Sequence, residues 1–206
     1  MLKHNVLSKL AEAKVVAVIR GSSAEEAIEL SKAAIKGGIQ AIELTYTTPH
    51  VGKVFEALES EDVLLGAGSV LDPETARHAI LAGARFIVSP HYNAEISPLC
   101  NRYSIPYLPG CTTIREMVSA LEGGSDIIKL FPANSFNPSF IKSVNGPLPN
   151  VQIMPTGGIN LDNIESWLQA GAVAVGIGSD MNKAYGAGGF DAAVELSQKY
   201  IQKSRP

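Results

Sequence analysis

Residues 123–130 read Gly-Gly-Ser-Asp-Ile-Ile-Lys-Leu, a pair of glycines followed directly by a short apolar run. Similar segments, in which a small residue and a glycine precede an apolar run, start at residues 37, 82 and 170, so the pattern recurs about every 41–47 residues. In each copy a glycine can end a helix in the left-handed conformation, which glycine adopts at low cost, and the apolar run can form a buried strand. The spacing fits two strand–helix units per copy.

Apolar segments between these copies predict four further strands, at residues 15–20, 63–67, 105–109 and 151–155. Amphipathic segments predict helices between the strands, near residues 23–37, 49–60, 73–82, 93–103, 112–122, 137–144, 161–170 and 190–203, with an additional leading helix at 2–13. Eight alternations of strand and helix predict an α/β fold, a single (β/α)8 TIM barrel over residues 1–206 with an extra N-terminal helix. An open doubly wound sheet is the alternative. It is less favoured because no early Gly-x-Gly-x-x-Gly links a strand to a helix.

The composition excludes several classes of protein. The chain has 46% hydrophobic residues and a net charge of −3, as in a globular protein with one sizeable core. No apolar run approaches the ~18 residues of a membrane span, and residues 1–5 lack the apolar stretch of a signal peptide. The mild acidity and the lack of a basic cluster argue against a nucleic-acid partner. With two cysteines, too few for a disulfide framework or a thiolate zinc site, we expect a cytoplasmic protein.

Lys129 is the most informative single residue, because it stands within a run of isoleucine, leucine and phenylalanine. Lysine is rarely buried without a partner or a function. Burial disfavours the ammonium form, and a neutral amine is a nucleophile that forms a Schiff base with a carbonyl substrate. A lysine that extends its amine to the surface, or that pairs with a carboxylate, is the alternative interpretation.

Glu43 occupies a similar apolar run, and it should point to the same side as Ala41 and Thr45 because alternate residues of a strand share a face. A buried glutamate must pair or take up a proton, and a carboxyl that exchanges a proton could serve the dehydration steps of Schiff-base chemistry. A purely structural ion pair between Glu43 and Lys129 is the alternative.

Two glycine-rich turns follow the last two predicted strands, at residues 156–160 and 176–180. In (β/α)8 barrels the loops at these positions commonly bind phosphate, because glycine lets the backbone approach the anion and helix N-termini point at it. The sequence therefore predicts a phosphorylated small-molecule substrate. His91 lies in a Pro-His-Tyr-Asn turn and is better explained as a polar loop residue than as a base. Cys111 is not expected to be a nucleophile, and the remaining histidines lack metal-ligand spacing, so we predict neither a metal site nor a cofactor.

The motifs at residues 41–45, 66–71, 87–90, 129–132 and 155–159 resemble, in order and spacing, those of the 2-keto-3-deoxy-6-phosphogluconate (KDPG) aldolases. These are class I aldolases of the Entner–Doudoroff pathway, and many also cleave 4-hydroxy-2-oxoglutarate. The resemblance implies that Lys129 forms the Schiff base and that Glu43 is the general acid/base. It also implies that Pro90 and Phe131 line the keto-acid pocket, and that members assemble as homotrimers. The residues it implies for the phosphate site are Thr156, Gly157, Gly158, Gly178 and Ser179.

The chain departs from the family pattern at two positions. Many members have an arginine, which holds the substrate carboxylate, where this chain has Thr47, and a threonine where this chain has Ser69. The first change removes a bidentate carboxylate ligand. Arg20, at the end of the first predicted strand, could replace it, which leaves the preferred substrate open among phosphogluconate, phosphogalactonate and hydroxyoxoglutarate types. Two different classes of protein would also fit these motifs: a barrel isomerase or synthase without imine chemistry, and a non-catalytic sugar-phosphate sensor.

Overall fold

The computed structural model describes residues 2–205, which form an α/β fold. The strands are β1 (Val15–Ile19), β2 (Ala41–Thr45), β3 (Leu64–Gly68), β4 (Ile87–Val88), β5 (Tyr107–Leu108), β6 (Gly110–Cys111), β7 (Ile127–Leu130), β8 (Gln152–Pro155) and β9 (Val175–Ile177). The helices are α1 (Leu2–Ala13), α2 (Ala24–Lys36), α3 (Val51–Leu58), α4 (Pro73–Leu81), α5 (Ile96–Arg102), α6 (Ile114–Glu122), α7 (Ser139–Asn145), α8 (Ile164–Gln169) and α9 (Ser179–Ser204).

The strands pair in parallel within two sheets. One sheet has the order β5-β4-β3-β2-β1-β9, and the other has the order β6-β7-β8. A parallel bridge between Thr156, just after β8, and Gly176 in β9 connects the two sheets at one side. At the other side the chain itself passes from one sheet to the other, because only Pro109 separates β5 from β6, and the carbonyl of Pro109 accepts from the amide of Lys129 at 2.9 Å. The carboxyl ends of the strands therefore lie at one edge, where the loops carry most of the predicted site residues.

Glycines end four of the helices in the manner that the sequence predicts. Each of these residues has a left-handed φ, between 88° and 107°, and a strand or its lead-in follows: Gly38, Gly83, Gly124 and Gly171. The starts of three helices are capped by side chains that accept a hydrogen bond from a backbone amide, namely Ser23, Asp72 and Thr113. Local sequence therefore determines where these helices begin and end.

Two elements differ from the prediction. The strand expected at residues 105–109 is divided into β5 and β6, because Pro109 between them has no N–H to donate to a neighbouring strand. The helix expected at residues 190–203 is preceded by an additional helical stretch that begins at Ser179, and non-helical φ and ψ at Gly188 and Gly189 separate the two stretches of α9. A short 3-10 helix, Ala133–Ser135, is an addition that the sequence pattern does not predict.

The buried side chains form two clusters. The larger cluster lies between the strands and the surrounding helices. The smaller cluster joins Val6 and Leu10 of α1 to residues of one strand face, among them Ala41 and Ile127. Alternate residues share a face, so Glu43 and Lys129 point to the same interior as Ala41 and Ile127, farther toward the carboxyl ends. Within residues 2–205, no helix has the length and apolar character required to cross a bilayer.

Candidate active site

Lys129 and Glu43 form a buried ion pair in this interior. The Lys129 Nζ lies 3.1 Å from Oε1 and 3.4 Å from Oε2 of Glu43. Lys129 is 5% exposed and Glu43 is 1% exposed, so water screens their interaction little. The carboxylate is placed to accept a proton from the ammonium, which would leave a neutral amine that can attack a carbonyl carbon.

A glycine on the neighbouring strand makes room for the Glu43 carboxylate. Glu43 is in register with Gly66 of β3, and Thr45 is in register with Gly68. A β-carbon at Gly68 would lie 2.6 Å from Cγ and 2.7 Å from the carboxyl carbon of Glu43, which is closer than real contacts allow. Gly68 is therefore the residue that permits this rotamer of Glu43.

Phe131 adds an aromatic wall beside the amine. Its ring centroid lies 5.2 Å from the Lys129 Nζ, within the range of a cation–π contact. Phe131 directly follows β7 and is half-buried, so part of its ring remains available to a ligand. An apolar face next to a nucleophilic amine suits the methyl or methylene group of a keto acid.

The predicted phosphate turns lie at the same edge of the sheet. Thr156 follows β8 directly and is 5% exposed, and its Oγ1 is buried without a hydrogen-bond partner among the described residues. Gly157 and Gly158 have left-handed φ values of 94° and 76°, which glycine tolerates best. The Asn163 side-chain amide holds this turn by donating to the carbonyl of Gly158 at 2.9 Å.

The second turn leads into α9. Gly178 precedes the helix, and the exposed Ser179 is its first residue. A helix N-terminus presents backbone amides and a partial positive charge, which favours an anion. The sequence pattern predicts a turn here but not a helix that starts within it.

Arg20 directly follows β1 and is exposed. The register between β1 and β2 pairs Val18 with Glu43 and Ile19 with Leu44, so its continuation places Arg20 level with Thr45. The salt bridges among residues 2–205 do not include Arg20. Thr47, at the position of the absent arginine, donates to the Thr45 hydroxyl at 3.1 Å. The guanidinium of Arg20 thus has no carboxylate partner within the described part of the chain.

The remaining candidates line the same edge. Ser69 follows β3 in a left-handed conformation with a φ of 57°, and Pro90 lies two residues beyond β4; both are half-buried. The exposed His91 approaches the Ser89 hydroxyl at 3.2 Å through Nδ1, and its carbonyl accepts from the Tyr107 hydroxyl at 3.1 Å. Burial raises the pKa of Tyr107 to about 12, so the phenol remains a donor at neutral pH. This arrangement fits a loop-fixing role for His91.

Two other features lie outside this chemistry. Burial raises the pKa of the Cys111 thiol to about 12, which keeps it protonated and makes it a poor nucleophile, as predicted. A cavity of about 930 Å³ lies at the amino ends of the strands, lined by residues of α1, the end of α3 and the start of β3, and is remote from Lys129. Among residues 2–205, no three His, Cys, Asp or Glu side chains are grouped as metal ligands would be.

Several residues that shape this site are not evident from the sequence. In the sequence, Gly68 stands out only as a glycine at the end of a strand, and nothing there indicates its contact with Glu43. Thr45 and Thr48 share a contact of 3.4 Å between their hydroxyl oxygens. The side-chain amide of Asn182 donates a hydrogen bond to the carbonyl oxygen of Arg20 at 2.8 Å. Three threonines within residues 45–48, the first of them two positions after Glu43, are the signal that could have indicated a hydroxyl cluster.

Comparison with known proteins gives a consistent result. The model of the "KDPG and KHG aldolase" family matches residues 6–193. A 2-dehydro-3-deoxy-phosphogluconate aldolase from Treponema pallidum is 35% identical over 202 residues, covering 96% of each chain. A 2-dehydro-3-deoxy-6-phosphogalactonate aldolase from Escherichia coli is 32% identical over 174 residues, covering 82% of this chain and 85% of the relative.

A solved structure is also similar. The KDPG aldolase from Legionella pneumophila, with pyruvate captured at low pH as a covalent carbinolamine intermediate, is 31% identical with a TM-score of 0.83. The alignment covers 95% of this chain and 96% of that chain. The family match, the two relatives and this fold agree with the buried lysine–glutamate pair: the chain belongs to the KDPG and KHG aldolase family.

Proposed function

We propose that this protein is a class I aldolase that reversibly cleaves 2-dehydro-3-deoxy-6-phosphogluconate to pyruvate and glyceraldehyde 3-phosphate. The observation that carries the proposal is the buried contact of 3.1 Å between Lys129 Nζ and the Glu43 carboxylate. Schiff-base catalysis requires a lysine that can lose its proton and an adjacent group that can hold it. The family match and the Treponema pallidum relative support the same chemistry.

The first half of the reaction forms the imine. Glu43 accepts a proton from Lys129, and the neutral amine attacks the keto carbon to give a carbinolamine. Glu43 then returns a proton to the departing hydroxyl, which leaves as water, and a protonated imine remains on Lys129. The carbinolamine of pyruvate captured in the Legionella pneumophila relative corresponds to this intermediate.

The second half breaks the C3–C4 bond. Glu43, directly or through a water molecule, removes the proton of the C4 hydroxyl, and the aldehyde forms there. The electrons of the broken bond move toward the protonated imine and produce an enamine of pyruvate. Protonation at C3 and hydrolysis of the imine release pyruvate and restore Lys129.

The two ends of the substrate match the two groups of residues that flank the amine. The turns at Thr156–Gly158 and at Gly178–Ser179 bind the phosphate, and the free hydroxyl of Thr156 and the start of α9 support this assignment. Arg20 binds the carboxylate of the keto acid, in place of the arginine that Thr47 replaces. Ser69, Pro90 and Phe131 surround the keto-acid portion.

The same chemistry on the C4 epimer, 2-dehydro-3-deoxy-6-phosphogalactonate, is the second candidate, because a relative of that name is 32% identical to this chain. 4-Hydroxy-2-oxoglutarate is the third candidate, because it is the compound abbreviated KHG in the family's name. A steady-state comparison of the three keto acids, with pyruvate release as the common signal, would rank them. We expect the highest kcat/KM for the phosphogluconate derivative. A higher value for either of the others would reassign the substrate.

We also propose that the strands close into an eight-stranded barrel, in which β5 and β6 count as one strand. The Thr156–Gly176 bridge supports closure at one join between the sheets, and the direct chain connection from β5 through Pro109 to β6 supports it at the other. A homotrimer in the cytoplasm, acting in the Entner–Doudoroff pathway, completes the proposal. Light scattering of the purified protein would give the number of subunits.

A further inference from the structure

One peptide group at the edge of the site is held at both of its polar atoms by side chains from other elements. The carbonyl oxygen of Arg20 accepts from the side-chain amide of Asn182 at 2.8 Å. The amide of Gly21, in the same peptide group, donates to the hydroxyl of Thr48 at 3.1 Å. Asn182 lies in the first turn of α9 and Thr48 in the loop after β2. Two side-chain contacts on a single peptide group fix the orientation of its plane.

The Thr48 hydroxyl is itself held in place. Thr48 is 4% exposed, and its Oγ1 lies 3.4 Å from Oγ1 of Thr45, which also accepts from Thr47 at 3.1 Å. Because Thr48 uses its oxygen to accept from Gly21, its own proton is free to point toward Thr45. We call these three residues the threonine cluster. The cluster connects the Arg20–Gly21 peptide to the strand that carries Glu43.

The chain after Arg20 has little space in which to move. A β-carbon on Gly21 would lie 2.6 Å from the carbonyl oxygen of Ser23 and 2.8 Å from the amide nitrogen of Ala27. The start of α2 therefore packs directly against Gly21. In contrast, the exposed side chain of Arg20 has no salt bridge within residues 2–205 to restrict it.

We propose that Thr48 and Asn182 are positioning residues that fix the Arg20–Gly21 peptide and thereby direct the Arg20 guanidinium toward the substrate carboxylate. The inference rests on the proposed role of Arg20. A long side chain loses conformational entropy when a ligand fixes it. A rigid backbone at its base reduces this entropic cost, which the binding free energy must otherwise offset. Thr48 and Asn182 do not touch the substrate in this arrangement.

The test compares pyruvate with methyl pyruvate, which has the same ketone without the carboxylate charge. For each ligand, borohydride reduces the imine on the intact protein, and mass spectrometry gives the concentration at which half of the protein is trapped. Loss of one hydrogen bond corresponds to a change of roughly two- to tenfold. We expect Thr48→Val and Asn182→Ala each to raise the half-trapping concentration of pyruvate by that factor, and to leave that of methyl pyruvate unchanged.

Two controls accompany these variants. Thr48→Ser keeps the hydroxyl and should trap pyruvate as the unaltered protein does. Asn101→Ala removes a contact of the same kind, between a side-chain amide and the carbonyl of Gly123 at 3.1 Å, near the amino end of β7. Asn101→Ala should leave the half-trapping concentrations of both ligands unchanged. An equal loss for pyruvate and methyl pyruvate in Thr48→Val would overturn the proposal, because a general distortion of the site would then explain it.

A double variant separates positioning from other effects. In an Arg20→Ala background, Thr48→Val and Asn182→Ala should cause no further loss, because the group that they position is gone. A further loss there would contradict the proposal. If Arg20→Ala weakens pyruvate binding but neither positioning variant does, the positioning role is wrong and the role of Arg20 stands. If Arg20→Ala has no effect, both are wrong, whereas the absence of any trapped adduct in the unaltered protein would refute the aldolase itself.

Discussion

Gly68 lies directly against the carboxylate of Glu43, and a β-carbon at that position would overlap the carboxylate oxygen Oε1. The contact fixes where the proton carrier can sit relative to Lys129. Gly68 has no positive φ, so alanine is not disfavoured by the backbone there, and the three atoms nearest to an added β-carbon all belong to the Glu43 side chain.

This relationship gives the first prediction. Gly68→Ala should displace the Glu43 carboxylate and lower kcat, because a misplacement of about 1 Å in a catalytic group can cost ~10²-fold. Gly52→Ala is the matched control, since a β-carbon there would meet nothing within 4 Å. Steady-state rates with thermal melts of both variants would test this, and full activity in Gly68→Ala would show that Glu43 has other productive positions.

The second prediction concerns the proton carrier itself. Glu43→Gln keeps the size and an oxygen acceptor for Lys129 but cannot exchange a proton. General acid–base catalysis contributes roughly 10²–10⁴-fold, so kcat should fall within that range while the circular dichroism spectrum is unchanged. A variant that turns over at the normal rate would assign Glu43 to structure alone.

The third prediction concerns the carboxylate. Arg20→Ala should weaken pyruvate binding about tenfold or more, because a hydrogen bond to a charged group contributes ~1.5–3 kcal/mol. Arg20→Lys should recover only part of the affinity, because an ammonium lacks the planar guanidinium fork. Titration of the imine yield against pyruvate concentration would measure both.

The fourth prediction tests whether Arg20 and position 47 serve one carboxylate. Arg20 lies level with Thr45 by register, and Thr47 contacts Thr45, so an arginine at either position could reach a common point. Thr47→Arg in the Arg20→Ala background should therefore restore much of the pyruvate affinity. Unchanged affinity of Arg20→Ala, with no effect of the second substitution, would place Arg20 on a surface or subunit interface instead.

Much of the fold was predictable because its signals are local. The four glycines that end helices require a left-handed backbone, and all four adopt it. The boundaries that differ depend on less regular features. Pro109 divides a strand into β5 and β6, and Gly188–Gly189 separate two helical stretches, the first of which begins inside a glycine-rich turn. Hydrophobic periodicity alone indicates neither of these breaks.

The site was predictable only in part, for a related reason. Lys129 and Glu43 are 86 residues apart, yet each is conspicuous because a charge within an apolar strand needs a partner. The contact between Asn182 and Arg20 joins residues 162 positions apart, and neither asparagine nor a strand-end carbonyl is unusual in its local sequence. Such contacts become visible only when side-chain positions in three dimensions are known.

Trapping of the imine on Lys129 tests the central claim most directly. The protein is incubated with pyruvate and borohydride, digested, and mapped by mass spectrometry, with Lys129→Ala as the control. We predict a single reduced pyruvate adduct on the peptide that contains Lys129, no adduct in Lys129→Ala, and loss of nearly all turnover in that variant. An unmodified Lys129, or an adduct on another lysine, would contradict the mechanism.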